Sequence, residues 1–246
     1  MKFINKYKSN NFDNRRSKKV NYIIIHYTAL NSHIEAIDFL CERSNQVSCH
    51  YVISKNGKIY NLVNEKKRAW HAGACYWKAN KDINSCSIGI ELDYNPETDK
   101  FFKQQLITSL INLIRILKTK YKIPNQNILG HSDVAPYRKI DPGYSFPWHK
   151  LSKANLSILL KPINKSNKIE LKKWFDKIKI YSNKDKILFM LSYIGYETLP
   201  SIKDNKKYKQ LINAYNSHYL RKKHKISEKE QYEIIAKHFI NQLLTF

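Results

Sequence analysis

No stretch of this 246-residue sequence approaches the roughly 20 consecutive apolar residues that a membrane-spanning helix needs, so no transmembrane segment is expected. The opening residues, Met1 to Lys19, are polar and charged. They hold no apolar run ahead of a small-residue cleavage site and no lipid-accepting cysteine. These absences point to the cytoplasm, with non-classical export or the periplasm as the alternative. Cysteine is sparse, and Cys41, Cys49, Cys75 and Cys86 form no C-x-x-C pair, which argues against a thiolate zinc knuckle. Their apolar neighbours suit reduced, partly buried thiols, and a Cys75–Cys86 disulfide would rest on spacing alone. Internal repeats are absent, and so is any recognised nucleic-acid-binding motif. Acidic residues are few, 20 against 44 Lys and Arg, which leaves a formal net charge of +24. That charge fits attraction to a polyanion or to carboxylate-bearing peptides. It fits equally well a general surplus of Lys, Asn and Ile with no partner behind it. Because the lysines are spread along the chain, no nucleic-acid partner is expected.

Hydrophobic residues make up 42% of the chain, enough for a full core without staples. Val20 to Ile25 is a continuous β-branched and aromatic run that reads as a strand buried on both faces, and it delivers His26 at its end. Ser32 to Arg43 reads as a helix capped by Ser32, with Ile34, Ile37, Leu40 and Cys41 on one stripe. Asn56-Gly57 between Tyr51–Ser54 and Lys58–Val63 is a strong hairpin signal. A further strand is expected over Ser87–Leu92, and an amphipathic helix over Phe101–Tyr121 that Pro124 stops. A short strand over Asn127–Leu129 then leads to Gly130-His131. Interleaved strands and helices over residues 18–150 indicate an α/β domain built on a central mixed β-sheet flanked by helices. Residues 1–17 read as a polar leader and 151–167 as a linker. Four helical segments over 168–246, the last opened by the capping box Ser227–Glu230, read as a small all-α domain.

His26 and His131 each follow a strand, and Asp141 lies in a Lys-Ile-Asp-Pro-Gly loop. Two imidazoles and a carboxylate are a normal protein set for catalytic zinc, with the fourth position left open. Taken singly, a histidine at a strand end is more often an ordinary polar residue. The wider context weighs against that reading. Ile23-Ile24-Ile25-His26-Tyr27-Thr28-Ala29, Val47-Ser48-Cys49-His50-Tyr51-Val52-Ile53 and Arg68-Ala69-Trp70-His71-Ala72-Gly73 come first. Asn84-Ser85-Cys86-Ser87-Ile88-Gly89-Ile90-Glu91-Leu92, Gly130-His131-Ser132-Asp133-Val134-Ala135-Pro136 and Arg138-Lys139-Ile140-Asp141-Pro142-Gly143 follow. In these blocks and their order the chain resembles the type 2 N-acetylmuramoyl-L-alanine amidases, a family that includes peptidoglycan recognition proteins and amidase-type phage lysozymes.

The resemblance implies a zinc ion on His26, His131 and Asp141, with Glu91 at the position of the catalytic glutamate and Lys139 at that of the catalytic lysine. His50, Trp70, His71 and Asn84 fall on positions that line the substrate groove or support the site. The implied activity is hydrolysis of the amide between N-acetylmuramic acid, or its 1,6-anhydro form, and L-alanine, in peptidoglycan or muropeptides. On residue type alone Glu91 reads as a strand-end charge and Lys139 as one solvated lysine among many. The helical tail, through Leu191–Tyr196 and Leu211–Tyr219, is similar to a small peptidoglycan-binding domain appended to some of these amidases; a buttressing role is the alternative. A monomer is expected.

Overall fold

Residues branched at Cβ crowd a helix but pack well on a pleated surface, so runs rich in Ile and Val settle as strands. The computed structural model describes residues 2–158, 160–220 and 226–244. Its strands are β1 (Phe3–Ile4), β2 (Phe12–Asn14), β3 (Tyr22–Tyr27), β4 (Tyr51–Ile53), β5 (Ile59–Asn61), β6 (Lys67–Ala69), β7 (Ser87–Leu92) and β8 (Ile128–Gly130). Six of them form one mixed sheet in the order β1-β5-β4-β7-β3-β8, and β2 pairs with β6 in a small annex. Only β4 and β5 run antiparallel in the large sheet, joined by the Asn56-Gly57 turn with Gly57 at a φ of +81°.

Helices cover both faces, as an α/β sheet with near-continuous apolar strands requires. They are α1 (His33–Cys41), α2 (Ile83–Cys86), α3 (Gln104–Tyr121), α4 (His131–Val134), α5 (Trp148–Lys153), α6 (Lys165–Lys177), α7 (Asn183–Ile194), α8 (Asn205–Tyr219) and α9 (Glu228–Leu243). Side chains alternate across a strand, and the alternation sorts the sheet. Ile23, Ile25, Ile88, Ile90 and Leu92 pack with Leu106, Leu110, Leu113 and Leu117 of α3 on one face. Tyr22, Ile24 and Leu129 point the other way, into a core shared with Phe175, Leu191, Tyr215 and Phe239 of the last four helices. His26 and Glu91 belong to this second face.

Several boundaries differ from the sequence reading, each for a physical reason. Residues 1–17 are not a loose leader: β1 adds to the sheet edge beside β5, and β2 pairs with β6. The stretch 151–167 is not a free linker, since Leu151 and Leu156 are buried in the α3 core and α6 has begun by Lys165. The helices expected in the tail are present, and their apolar stripes pack on the second face of the sheet. On α1 the Ser32 cap is present, accepting from the Glu35 N–H, but Ile34 is exposed and only Ala36, Ile37 and Leu40 are buried. The capping box at Ser227 and Glu230 forms as expected. All four cysteines are free thiols.

Candidate active site

Three adjacent parallel strands, β7, β3 and β8, end together, and their ends carry the chemistry. His26 lies opposite Glu91 in the β3–β7 register, and His131 opens α4 immediately after β8. Asp141 arrives from the loop beyond, whose backbone is fixed by the Ser132 N–H donating to the Asp141 carbonyl at 2.8 Å. Pro142 packs directly on Gly130, where a Cβ would sit 2.5 Å from the Pro142 Cδ. Glycine is what lets the loop come this close.

The expected trio meets. His26 Nδ1 lies 3.0 Å from His131 Nδ1 and 3.1 Å from Asp141 Oδ2, and His131 Nδ1 lies 3.0 Å from the same oxygen. All three residues are buried, and they form a group able to hold a metal ion. The back of the His131 ring sets its tautomer: Nε2 faces the Ala72 carbonyl at 3.1 Å, which accepts only from an N–H, while the Arg138 Nη2 3.4 Å away spends its two hydrogens on the Ala72 and Ala74 carbonyls. Its Nδ1 therefore presents a lone pair to the centre of the triangle. Electron pairs crowded beside a carboxylate oxygen repel one another unless a cation sits among them, so the donor set fits zinc or a similar borderline ion. Burial, reinforced by His131, pushes His26 down to about 4, so its imidazole is neutral, as a ligand must be.

A cavity of about 350 Å³ opens over this triangle, walled by Thr28, Trp70, Glu91 and Lys139 among others. Glu91 Oε2, Thr28 Oγ1 and Trp70 Nε1 are buried polar atoms without a hydrogen-bond partner among the described residues. Such atoms are costly in a folded protein and mark places where a ligand or water completes the bonding. Burial pushes the Glu91 carboxyl well above its ordinary range, Asp141 pushes it further, and Lys139 opposes both. A cation on the triangle would draw it back down. A buried carboxyl beside a cavity that also holds three converging donor atoms suits proton transfer.

The four supporting positions divide. Trp70 lines the cavity, with the Arg43 guanidinium 5.3 Å from its ring centroid. His71 touches the cavity edge but turns both ring nitrogens inward, towards His26 and Ser87. His50 does not reach the cavity: it is fully buried and its Nδ1 accepts from the Gly89 N–H. Asn84 is likewise a structural brace, its Oδ1 accepting from the N–H groups of His71 and Ala72. Of the two roles expected of them, lining the groove or supporting the site, the geometry of these last two is that of support.

Other residues at the site carried no individual signal. Thr28 and Arg138 sat unremarked inside the matched blocks, and Arg138 donates to the carbonyls of Ala72 and Ala74 beneath the rim. Arg15, in the supposed leader, donates to the carbonyls of Glu65, Asn84, Ser85 and Ser87 behind the site. Asp133, two residues after His131, accepts from the Gly130 N–H and from the tail residues Tyr196 and His218. A long-range partner of this kind leaves no trace in local pattern.

Comparison with known proteins bears on the family and the fold. A family model described as N-acetylmuramoyl-L-alanine amidase matches residues 16–144. The chain is 35% identical over 164 residues to the N-acetylmuramoyl-L-alanine amidase AmiD of Escherichia coli, with 58% of each chain covered. It is 40% identical over 109 residues to the 1,6-anhydro-N-acetylmuramyl-L-alanine amidase AmpD of Haemophilus influenzae, covering 43% of this chain and 56% of that one. The chain thus spans between half and two thirds of the length of these curated relatives. A solved complex of E. coli AmiD with the substrate anhydro-N-acetylmuramic acid-L-Ala-D-gamma-Glu-L-Lys superposes with a TM-score of 0.74 at 25% identity. The match takes in 92% of this chain and 91% of that one, helical tail included. With the matched model covering more than half of its residues, the chain belongs to the N-acetylmuramoyl-L-alanine amidase family.

Proposed function

We propose that the protein hydrolyses the amide joining N-acetylmuramic acid, or its 1,6-anhydro form, to L-alanine in peptidoglycan or muropeptides, with zinc on His26, His131 and Asp141. One observation carries this reading: the Glu91 carboxyl lines the same cavity as His26, His131 and Asp141, whose donor atoms converge. When bound, zinc supplies Lewis acidity and makes water a competent nucleophile near neutral pH. Glu91 takes the proton from the attacking water and passes it to the departing alanine nitrogen. Lys139, on the cavity wall, offsets the negative charge that develops on the carbonyl oxygen. Trp70 and Thr28 line the cavity that would take the substrate. Arg138 and Lys139 give the rim a positive character that suits the carboxylates of a peptide stem.

Mass spectrometry of a muropeptide mixture after incubation tests the assignment, with metal content measured on the same sample. The expected products are free L-alanyl peptides and intact muramic acid sugars. New reducing sugar ends would instead require two carboxylates flanking a glycosidic bond. Binding without release of peptide would make the chain a recognition module and overturn the proposal.

A further inference from the structure

Of the roles expected of His71, lining the substrate groove or supporting the site, the geometry favours support: its ring lies behind His26 and both nitrogens are used there. His71 Nδ1 is 3.1 Å from His26 Nε2, and His71 Nε2 is 3.0 Å from Ser87 Oγ. The Ser87 hydroxyl in turn donates to the Ile83 carbonyl at 2.7 Å. The carbonyl can only accept, and it therefore fixes the direction of every proton in the row. Ser87 spends its hydrogen on Ile83, so its oxygen accepts from His71 Nε2–H. His71 Nδ1 is then bare and accepts from His26 Nε2–H. His26 Nδ1 is left with a lone pair, directed at His131 Nδ1 and Asp141 Oδ2.

A second observation comes from β7. A Cβ on Gly89 would lie 2.4 Å from His71 Cγ, so the ring is laid flat against the strand at a place where only glycine leaves room. Asn84 holds the backbone N–H of His71 from the other side. The ring is thus fixed on its face, its backbone and both nitrogens.

We infer that His71 is a positioning residue: it receives the His26 Nε2 proton and so keeps His26 Nδ1 bare for the metal, with Ser87 and the Ile83 carbonyl setting the direction. His131 reaches the same state through the Ala72 carbonyl, so the two histidine ligands are oriented by different devices. Partners of this type behind a ligating histidine fix its tautomer and orientation. The inference rests on the metal reading above, and the experiment separates the two.

Zinc affinity is measured by competition with a chelator in wild type, His71→Ala and His71→Asn. Long-range 1H–15N spectra of the metal-free proteins report which His26 nitrogen carries the proton. Wild type should bind one zinc and show His26 protonated at Nε2. His71→Ala should bind zinc about 10- to 100-fold more weakly. It should also shift the His26 proton towards Nδ1, where Asp141 Oδ2 accepts it. His71→Asn places an amide oxygen near the lost Nδ1 and should recover most of the affinity and the Nε2–H form. Ser87→Ala, a smaller change that spares the packing, should shift the tautomer in the same sense as His71→Ala. Unchanged zinc affinity in His71→Ala, or an unaltered His26 tautomer in both His71→Ala and Ser87→Ala, would overturn the inference while leaving the metal reading intact. Failure of the wild type to bind zinc would overturn both.

Discussion

Glu91 shows how little a side chain's type says about its job. On residue type it is a strand-end carboxylate in a chain with 44 cationic residues, yet one of its oxygens is buried without a partner among the described residues, and it lines a cavity with two histidines and an aspartate. Glu91→Gln keeps the shape and removes the base. It should retain zinc and fold while kcat falls on the order of 100- to 10,000-fold, with KM little changed. Lys139→Ala should also keep its metal and lose roughly 100-fold or more in kcat, through weaker stabilisation of the oxyanion. Steady-state kinetics on a purified anhydro-muropeptide, paired with metal analysis, decide both. Near-wild-type rates would leave the two residues without a part in the chemistry. Loss of zinc from Glu91→Gln would make that carboxylate a ligand or a ligand's support rather than the base.

At the scale of elements, what could be read in the sequence was what repeats locally. The β-branched run of β3, the Asn56-Gly57 hairpin, the leucine stripe of α3 and the Ser227 capping box each depend on a few neighbouring residues, and each is present. The metal trio was legible because each member follows or sits in a recognisable block, although only the fold shows that the donor atoms meet. What escaped depends on partners far along the chain. Strands β1 and β2 are two and three residues long and gain their stability from pairing with β5 and β6, so no periodicity announces them. Arg15 just beyond them spans 50 to 72 residues of sequence to reach the four carbonyls behind the site. Removing residues 1–17 should therefore lower the stability of the protein by about 3 kcal/mol or more, since charge-assisted hydrogen bonds to buried carbonyls are lost. A leader with no structural role predicts no change. Denaturant titration of the two chain lengths distinguishes these outcomes, and Arg15→Leu in the full chain isolates the guanidinium from the strands.

The whole molecule is joined by a core and a carboxylate. Tyr22, Ile24 and Leu129 of the sheet share one apolar cluster with Phe175, Leu191, Tyr215 and Phe239 of the tail, so neither part buries its surface alone. Within that seam Asp133 is fully buried and accepts from Gly130 N–H, His218 Nδ1 at 2.7 Å and the Tyr196 hydroxyl. His218 is stacked on Trp148 with ring centroids 3.6 Å apart, and Tyr196 meets Trp77 edge-on at 4.9 Å. The tail thus holds the turn that carries His131, two residues from Asp133. A buried carboxylate that loses a donor keeps its desolvation cost, and the cost falls on the fold as a whole. Calorimetry should accordingly show one cooperative transition, with calorimetric and van't Hoff enthalpies equal. Tyr196→Phe deletes one hydroxyl from the tail and should lower the stability of the whole chain by about 1–3 kcal/mol. Its denaturation curves should stay superimposable whether followed by helical signal or by release of zinc. Two separable transitions, or a Tyr196→Phe effect confined to the helical signal, would mean that the tail folds as an independent module and does not brace the site.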